Sequence, residues 1–153
     1  MHQTPHGCAL RRGRVSEAGR IYLVTTVTRG RIPLFADFAL SRAAIGELRR
    51  CDHLGRCATL AFMLMPDHLH WLLQLAGDDL PRVVGLFKAN SAKAIDRQRG
   101  TQREHVWQPG FHDHSLRMEE DLAATARYII ANPLRAGLVR RIGDYPHWDA
   151  IWL

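Results

Sequence analysis

Hydrophobic and polar positions change period several times along this chain, and each change predicts an element. Residues 21–28 (IYLVTTVT) are β-branched and aromatic, a strand by composition, ended by Arg29-Gly30. Across 37–54 the apolar residues Leu40, Ala44, Ile45 and Leu48 recur at helical spacing. A strand over 58–65 follows. Pro66-Asp67 then makes a turn, and a strand over 67–75 returns against the first as a hairpin. Asp79 caps a second helix with Pro81 in its first turn. Val84, Phe87 and Ile95 fall on its apolar side, Lys88, Lys93, Arg97 and Arg99 on the other, and Gly100 closes it. The pieces 106–108 and 111–117 read as extended around Pro109-Gly110. The last long helix is expected to begin near Met118, with Glu119, Glu120 and Asp121 in the first turn, where the macrodipole favours acids. It should stop at about Asn132, because Pro133 disfavours helical geometry in the residue before it. A turn-rich tail, 143–153, carries Trp148 and Trp152, both expected to pack against the body. This order of elements predicts an α+β fold, an antiparallel sheet with helices packed on one face.

Composition sets outer limits on that picture. The 153 residues are 46% hydrophobic, so a single domain over 1–153 with an adequate core is expected. No run reaches the ~18 apolar residues of a membrane span. The first twenty residues lack the apolar stretch of a signal peptide, which places the chain in the cytoplasm. Cys8, Cys51 and Cys57 are odd in number and form no Cys-x-x-Cys pair, so they are expected to stay reduced. The net charge is +6, carried almost wholly by arginine, with Lys88 and Lys93 the only lysines. Arginine suits bidentate contact with phosphate, so a polyanionic partner fits, although a GC-rich genome also favours arginine. Residues 1–19, with Arg11, Arg12 and Arg14, read as a mobile basic arm.

The candidate chemistry begins at His68-Leu69-His70. Side chains alternate along a strand, so both imidazoles project to one side while Leu69 and Trp71 point to the other. Two imidazoles on a rigid backbone can hold a metal ion, though paired histidines on a strand surface are also common. On the last helix, Leu122, Ala126, Ile129 and Ile130 gather in one apolar sector. Tyr128 lies outside it, and Asn132, four residues on, shares its stripe. One reading is a boundary tyrosine with its hydroxyl in water. The other sets the stripe beside the histidines: the pair holds a divalent metal, Asn132 oxygen is a third ligand, and Tyr128 attacks phosphorus. Imidazole alone suits zinc or manganese, whereas an amide oxygen and water shift the site towards Mn²⁺ or Mg²⁺. His112 and His114 form a second His-x-His; His2, His6, His53, His105 and His147 lie outside any constellation and are expected at the surface. Trp107 and Phe111 suit burial better than base stacking.

The segments FMLMPDHLHWLLQL (62–75), VWQPGFHDHSLR (106–117) and EEDLAATARYIIANPLRAGLV (119–139) resemble the REP-associated tyrosine transposases, bacterial single-tyrosine members of the HUH endonuclease class. The opening IYLVTTVTRGRIPLF resembles their first strand. The resemblance implies a ferredoxin-like α+β domain that cleaves and rejoins single-stranded DNA near palindromic hairpins, using Mg²⁺ or Mn²⁺ and a 5′-phosphotyrosine. It makes His68 and His70 metal ligands and Tyr128 the nucleophile. Asn132 stands where related enzymes place a third polar ligand, often glutamine. Asp113-His114 looks like part of the pattern preceding the tyrosine helix and would support the metal shell or orient DNA, His114 more than His112.

The resulting expectation is a metal-dependent single-stranded DNA endonuclease and strand transferase, a monomer or homodimer in the bacterial nucleoid. Hairpin DNA would be bound by Arg11, Arg12, Arg14, Lys88, Lys93, Arg97 and Arg135. Two rivals stand beside it: a non-catalytic binder of repeated palindromes, and a metal-dependent hydrolase that cuts with activated water.

Overall fold

Alternation in the first strand, β1 (Ile21–Val27), sends Tyr22 and Val24 to one face of the sheet and Ile21 and Leu23 to the other. The computed structural model describes residues 18–102, 105–117 and 121–152. Arg11, Arg12 and Arg14 lie outside these residues, as do Met118, Glu119 and Glu120, where the last helix was expected to start. Strands β2 (Cys57–Met65) and β3 (His68–Leu75) form the expected hairpin across Pro66-Asp67. With β4 (His112–Leu116) and β5 (Trp148–Ala150) they make a five-stranded sheet of order β4-β1-β3-β2-β5, antiparallel at every pairing.

Two long helices cover one face. In α1 (Phe38–His53) the Asp37 carboxylate accepts from Leu40 N–H at 3.1 Å, and in α2 (Leu80–Arg99) Asp79 accepts from Arg82 N–H at 2.9 Å. Gly100 closes α2 in the left-handed region at φ 71°, which its missing Cβ permits. Between these helices and the sheet lie Ile45, Leu48, Phe87 and Ile95 with Leu64, Leu69, Trp71 and Leu73. Trp71 is fully buried, yet its indole N–H donates to Thr59 Oγ1 at 2.9 Å.

The α+β class and the antiparallel sheet agree with the sequence, but the helices are not confined to one face. Helix α3 (Leu122–Ile130) packs Ala126, Ile129 and Ile130 against Met63, Met65 and Leu72 on the opposite side. A wide apolar sector on a short helix shows that it covers a sheet, not which face it covers. Asp121 is the cap of this helix, accepting from Ala124 N–H at 3.0 Å. After Ala131 (φ −75°, ψ −4°) the chain begins a new turn, α4 (Asn132–Arg135), with Pro133 at its start. Proline lacks the N–H that would continue the ladder. Leu134 and Arg135 return their N–H groups to Ala131 O at 3.0 and 3.1 Å instead.

The tail supplies the edge strand β5, which the sequence reading did not foresee. Trp148 is half-buried there, whereas Trp152 is 42% exposed, so only one of the two packs as expected. His147 is buried between the rings of Phe38 and Tyr145 rather than at the surface. Cys51 and Cys57 are buried and unbridged. Among the described residues no helix is long and apolar enough to cross a membrane.

Candidate functional site

Register decides which residues share the α3 side of the sheet. His68 stands opposite Met65 and His70 opposite Met63, both in the core beneath α3. The imidazoles therefore project to the face that carries the tyrosine helix, with ring centres 4.8 Å apart at 82°. Each ring is fixed at Nδ1. His68 Nδ1–H donates to Asp67 Oδ1 at 2.7 Å, and His70 Nδ1 lies 2.9 Å from Thr25 Oγ1. With Nδ1 engaged in both, Nε2 is the atom left to bind a ligand.

Asp67 is itself held by Arg31, whose Nη1 donates to Oδ2 at 3.1 Å. Arg31 has φ 54°, a left-handed conformation that costs a non-glycine residue about 1 kcal/mol or more. Burial disfavours the Asp67 charge, but the hydrogen bonds and charges of His68 and Arg31 outweigh it and hold the carboxyl below its usual range. Burial, then the charges of His68 and Arg135, push His70 down to about 4. Its imidazole is thus neutral, as a metal ligand must be, across the physiological range.

Tyr128 is 67% exposed, on the side of α3 away from the core. Arg135 folds back over it: the guanidinium carbon lies 4.0 Å from the ring centre, and Nη2 donates to Tyr128 O at 2.8 Å. The same nitrogen donates to Asn132 Oδ1. Arg135 is the last residue of α4, seven residues on from Tyr128. Arg135 is thus in contact with both Tyr128 and Asn132, and its positive charge is one of those that disfavour protonation of His70.

The remaining candidates divide. His112 pairs with Thr25, which pairs with His70, so these three lie in one row across β4, β1 and β3 on the α3 side. His114 is on the same face one step further, opposite Leu23. Asp113 is opposite Val24 and faces the α1 and α2 side, which removes it from the metal shell. Lys88 is turned inward, with Nζ donating to Gln108 O and Gly110 O, both at 2.6 Å. It fastens the loop before β4 instead of facing solvent as expected. Lys93 and Arg97 are exposed beside Asp96, Thr101 and His105. They are on α2, across the sheet from the histidines. Trp107 and Phe111 are buried, and Trp107 donates to Ser91 Oγ at 2.9 Å.

Sequence reasoning missed Thr25, Asp67 and Arg31 as supports of the pair. Asp67 is visible in the sequence as the neighbour of His68, but Pro66-Asp67 reads there as a turn. Thr25 meets His70 only through strand register.

Comparison with known proteins agrees with this fold. The family described as Transposase IS200 like matches residues 21–132. A Haemophilus influenzae protein named, provisionally, a REP-associated tyrosine transposase is 27% identical over 84% of this chain and 78% of its own length. A REP-associated tyrosine transposase of Escherichia coli K12 is 28% identical over 56% of this chain and 50% of its own. Among solved structures, a REP-associated tyrosine transposase bound to a REP hairpin aligns with a TM-score of 0.66 and 25% identity, over 88% of this chain and 79% of that one. A Deinococcus radiodurans protein provisionally named a transposase shares the fold, with a TM-score of 0.56 and 22% identity over 79% of this chain and 94% of its own. The likeness to REP-associated tyrosine transposases seen in the sequence is therefore borne out, and the chain belongs to the IS200-like transposase family.

Proposed function

We propose that this transposase cuts and rejoins single-stranded DNA beside palindromic hairpins, with Tyr128 as nucleophile and a divalent cation, Mg²⁺ or Mn²⁺, held by His68 and His70. The observation that supports the reading is the placement of two oriented imidazoles on the face of the sheet that α3 covers, with an exposed tyrosine carried by that same helix. The donor set fits such an ion. Two imidazole nitrogens and the Asn132 amide oxygen leave positions for water and phosphate oxygens. Among the described residues no group of three or more His, Cys, Asp or Glu gathers, so a closed structural zinc site is not what the pair suits.

The bound cation would place positive charge on the non-bridging oxygens of the scissile phosphate. The phenol oxygen of Tyr128 attacks phosphorus and gives up its proton as the bond to the 3′ oxygen breaks. That oxygen gains a proton and leaves as a free 3′-hydroxyl, while the 5′ phosphate remains on Tyr128. Attack by a second 3′-hydroxyl reverses the step, restores the phenol and transfers the strand. Asp67 and Thr25 hold the histidine rings, and Arg31 holds Asp67. His112, in the row of His70, and His114 beyond it would line the path of the strand. Lys93, Arg97, Arg135 and the basic residues Arg11, Arg12 and Arg14 would contact its backbone. The hairpin-bound relative supports DNA of that kind as the substrate.

The test is incubation of the protein with labelled hairpin-bearing single-stranded DNA and Mn²⁺, followed by denaturing electrophoresis. A denaturant-resistant adduct is expected from the wild type. Tyr128→Phe should abolish adduct and cleavage while leaving DNA affinity nearly unchanged. Cleavage retained by that variant would assign the chemistry to activated water. DNA binding without cleavage by the wild type would make the chain a binder of palindromes.

A further inference from the structure

The connection between β1 and α1 turns an unusual set of side chains to solvent. Arg29 and Arg31 are exposed, and so are Ile32 and Phe38, at 57% and 62%. An exposed apolar residue on its own is ordinary. This stretch differs in how firmly it is held, and in what holds it. Phe35 N–H donates to Pro66 O at 2.9 Å, and Thr28 Oγ1 lies 2.8 Å from Ile32 O and 3.1 Å from Asp67 O. Arg31 adds a side-chain link, through Asp67 to His68 Nδ1. The segment is thus fastened to the bend that leads directly into the first imidazole. Ring chemistry and charge then favour one kind of occupant. Arg42 is exposed on α1, with its guanidinium carbon 5.9 Å from the centre of the Phe38 ring. The two acids of this region are already engaged, Asp37 as the cap of α1 and Asp67 with Arg31 and His68. An open aromatic ring among arginines suits an unpaired strand, whose bases stack on the ring while its phosphates meet the guanidinium groups. A duplex keeps its base faces stacked inside and offers the ring nothing comparable.

We propose that Phe38 is a stacking platform for one unpaired base of the strand that runs to the histidine pair, with Arg31 and Arg42 contacting the adjoining phosphates. The ring gives affinity for unpaired DNA without selecting a particular base, since every base has a π-face. The proposal rests on the function argued above. It goes beyond that reading by assigning the unpaired strand a surface of its own, apart from whatever holds the hairpin stem.

The test measures DNA affinity of the full chain by fluorescence anisotropy without added metal. Two DNAs are compared, a hairpin with an unpaired extension and the same hairpin with none. Phe38→Ala is expected to weaken binding of the extended hairpin by about tenfold and to leave the bare hairpin unaffected. Phe38→Trp should bind as the wild type does. Phe38→Leu keeps apolar bulk without a π-face, so it should bind as weakly as Phe38→Ala; a merely structural role would be satisfied by leucine. Removing bases from the extension one at a time should find a position where the wild type loses the same factor and Phe38→Ala loses nothing further. Arg42→Gln should lower the slope of log affinity against log salt by about 0.7 on the extended hairpin only. Equal weakening on both DNAs, undiminished binding by Phe38→Ala or Phe38→Leu, or an unchanged salt slope in Arg42→Gln overturns the platform. A wild type that forms the tyrosine adduct while Phe38→Ala binds normally rejects the platform alone. One that forms no adduct but shows this base dependence rejects the catalytic reading and leaves the platform standing.

Discussion

Each histidine of the pair is steadied by a different kind of residue, a carboxylate for His68 and a hydroxyl for His70. Groups that orient a metal-binding imidazole affect affinity without touching the ion. Asp67→Asn and Thr25→Val are each expected to weaken Mn²⁺ binding by about tenfold, read by titration calorimetry, with Tm nearly unchanged. A fall in Tm with unaltered cation affinity would make them structural residues only. Alternation alone was enough to place His68 and His70 on a common side, and an i, i+4 relation put Tyr128 and Asn132 on a common stripe. Their supports were less legible. Thr25 is 45 residues from His70 in sequence and meets it only because β1 and β3 pair in one particular register. The inward turn of Lys88 was hidden for a similar reason, since the carbonyls it binds belong to a loop twenty residues away.

At the scale of elements, α3 has nine residues, too few to be stable by propensity, and depends on its cap and on the sheet beneath it. Asp121→Ala removes the side-chain bond to Ala124 N–H. It should cost about 1 kcal/mol, a fall in Tm of roughly 2–4 °C by calorimetry, and it should slow adduct formation through looser placement of Tyr128. Rapid adduct formation by this variant would show that the tyrosine is held by other means. The sequence marked Pro133 as the end of a helix, and α3 does stop just before it. It did not reveal that helical geometry resumes at once and carries Arg135 back over Tyr128, because a proline's missing N–H breaks a ladder without dictating the direction taken afterwards. β5 was invisible for another reason: three residues are too few to establish a period.

For the whole molecule, the main consequence of placing α3 opposite α1 and α2 is a separation of duties. The tyrosine and the histidines lie on one side, and the exposed Lys93 and Arg97 on the other. DNA that meets both must pass around the molecule. Lys93→Gln with Arg97→Gln is expected to weaken hairpin binding and to reduce the slope of log affinity against log salt by about one per charge removed. Adduct formation at saturating DNA and Mn²⁺ affinity should not change. An unaltered salt slope would show that this side carries no DNA. Element order sufficed to read the class of fold, but not the distribution of layers, because an amphipathic helix packs equally well on either side of a sheet.

The two-residue connection between β2 and β3 acquires a meaning beyond compactness. β3 presents Leu69, Trp71 and Leu73 to one covered face and the imidazoles to the other, so its phase is part of the proposed chemistry. A one-residue slip of β3 at Pro66-Asp67 would exchange the two sets, turning both imidazoles towards the side of Leu48 and Phe87 and an indole towards the side of α3. The count of residues in this hairpin bend is therefore fixed by the faces of the strand that follows it.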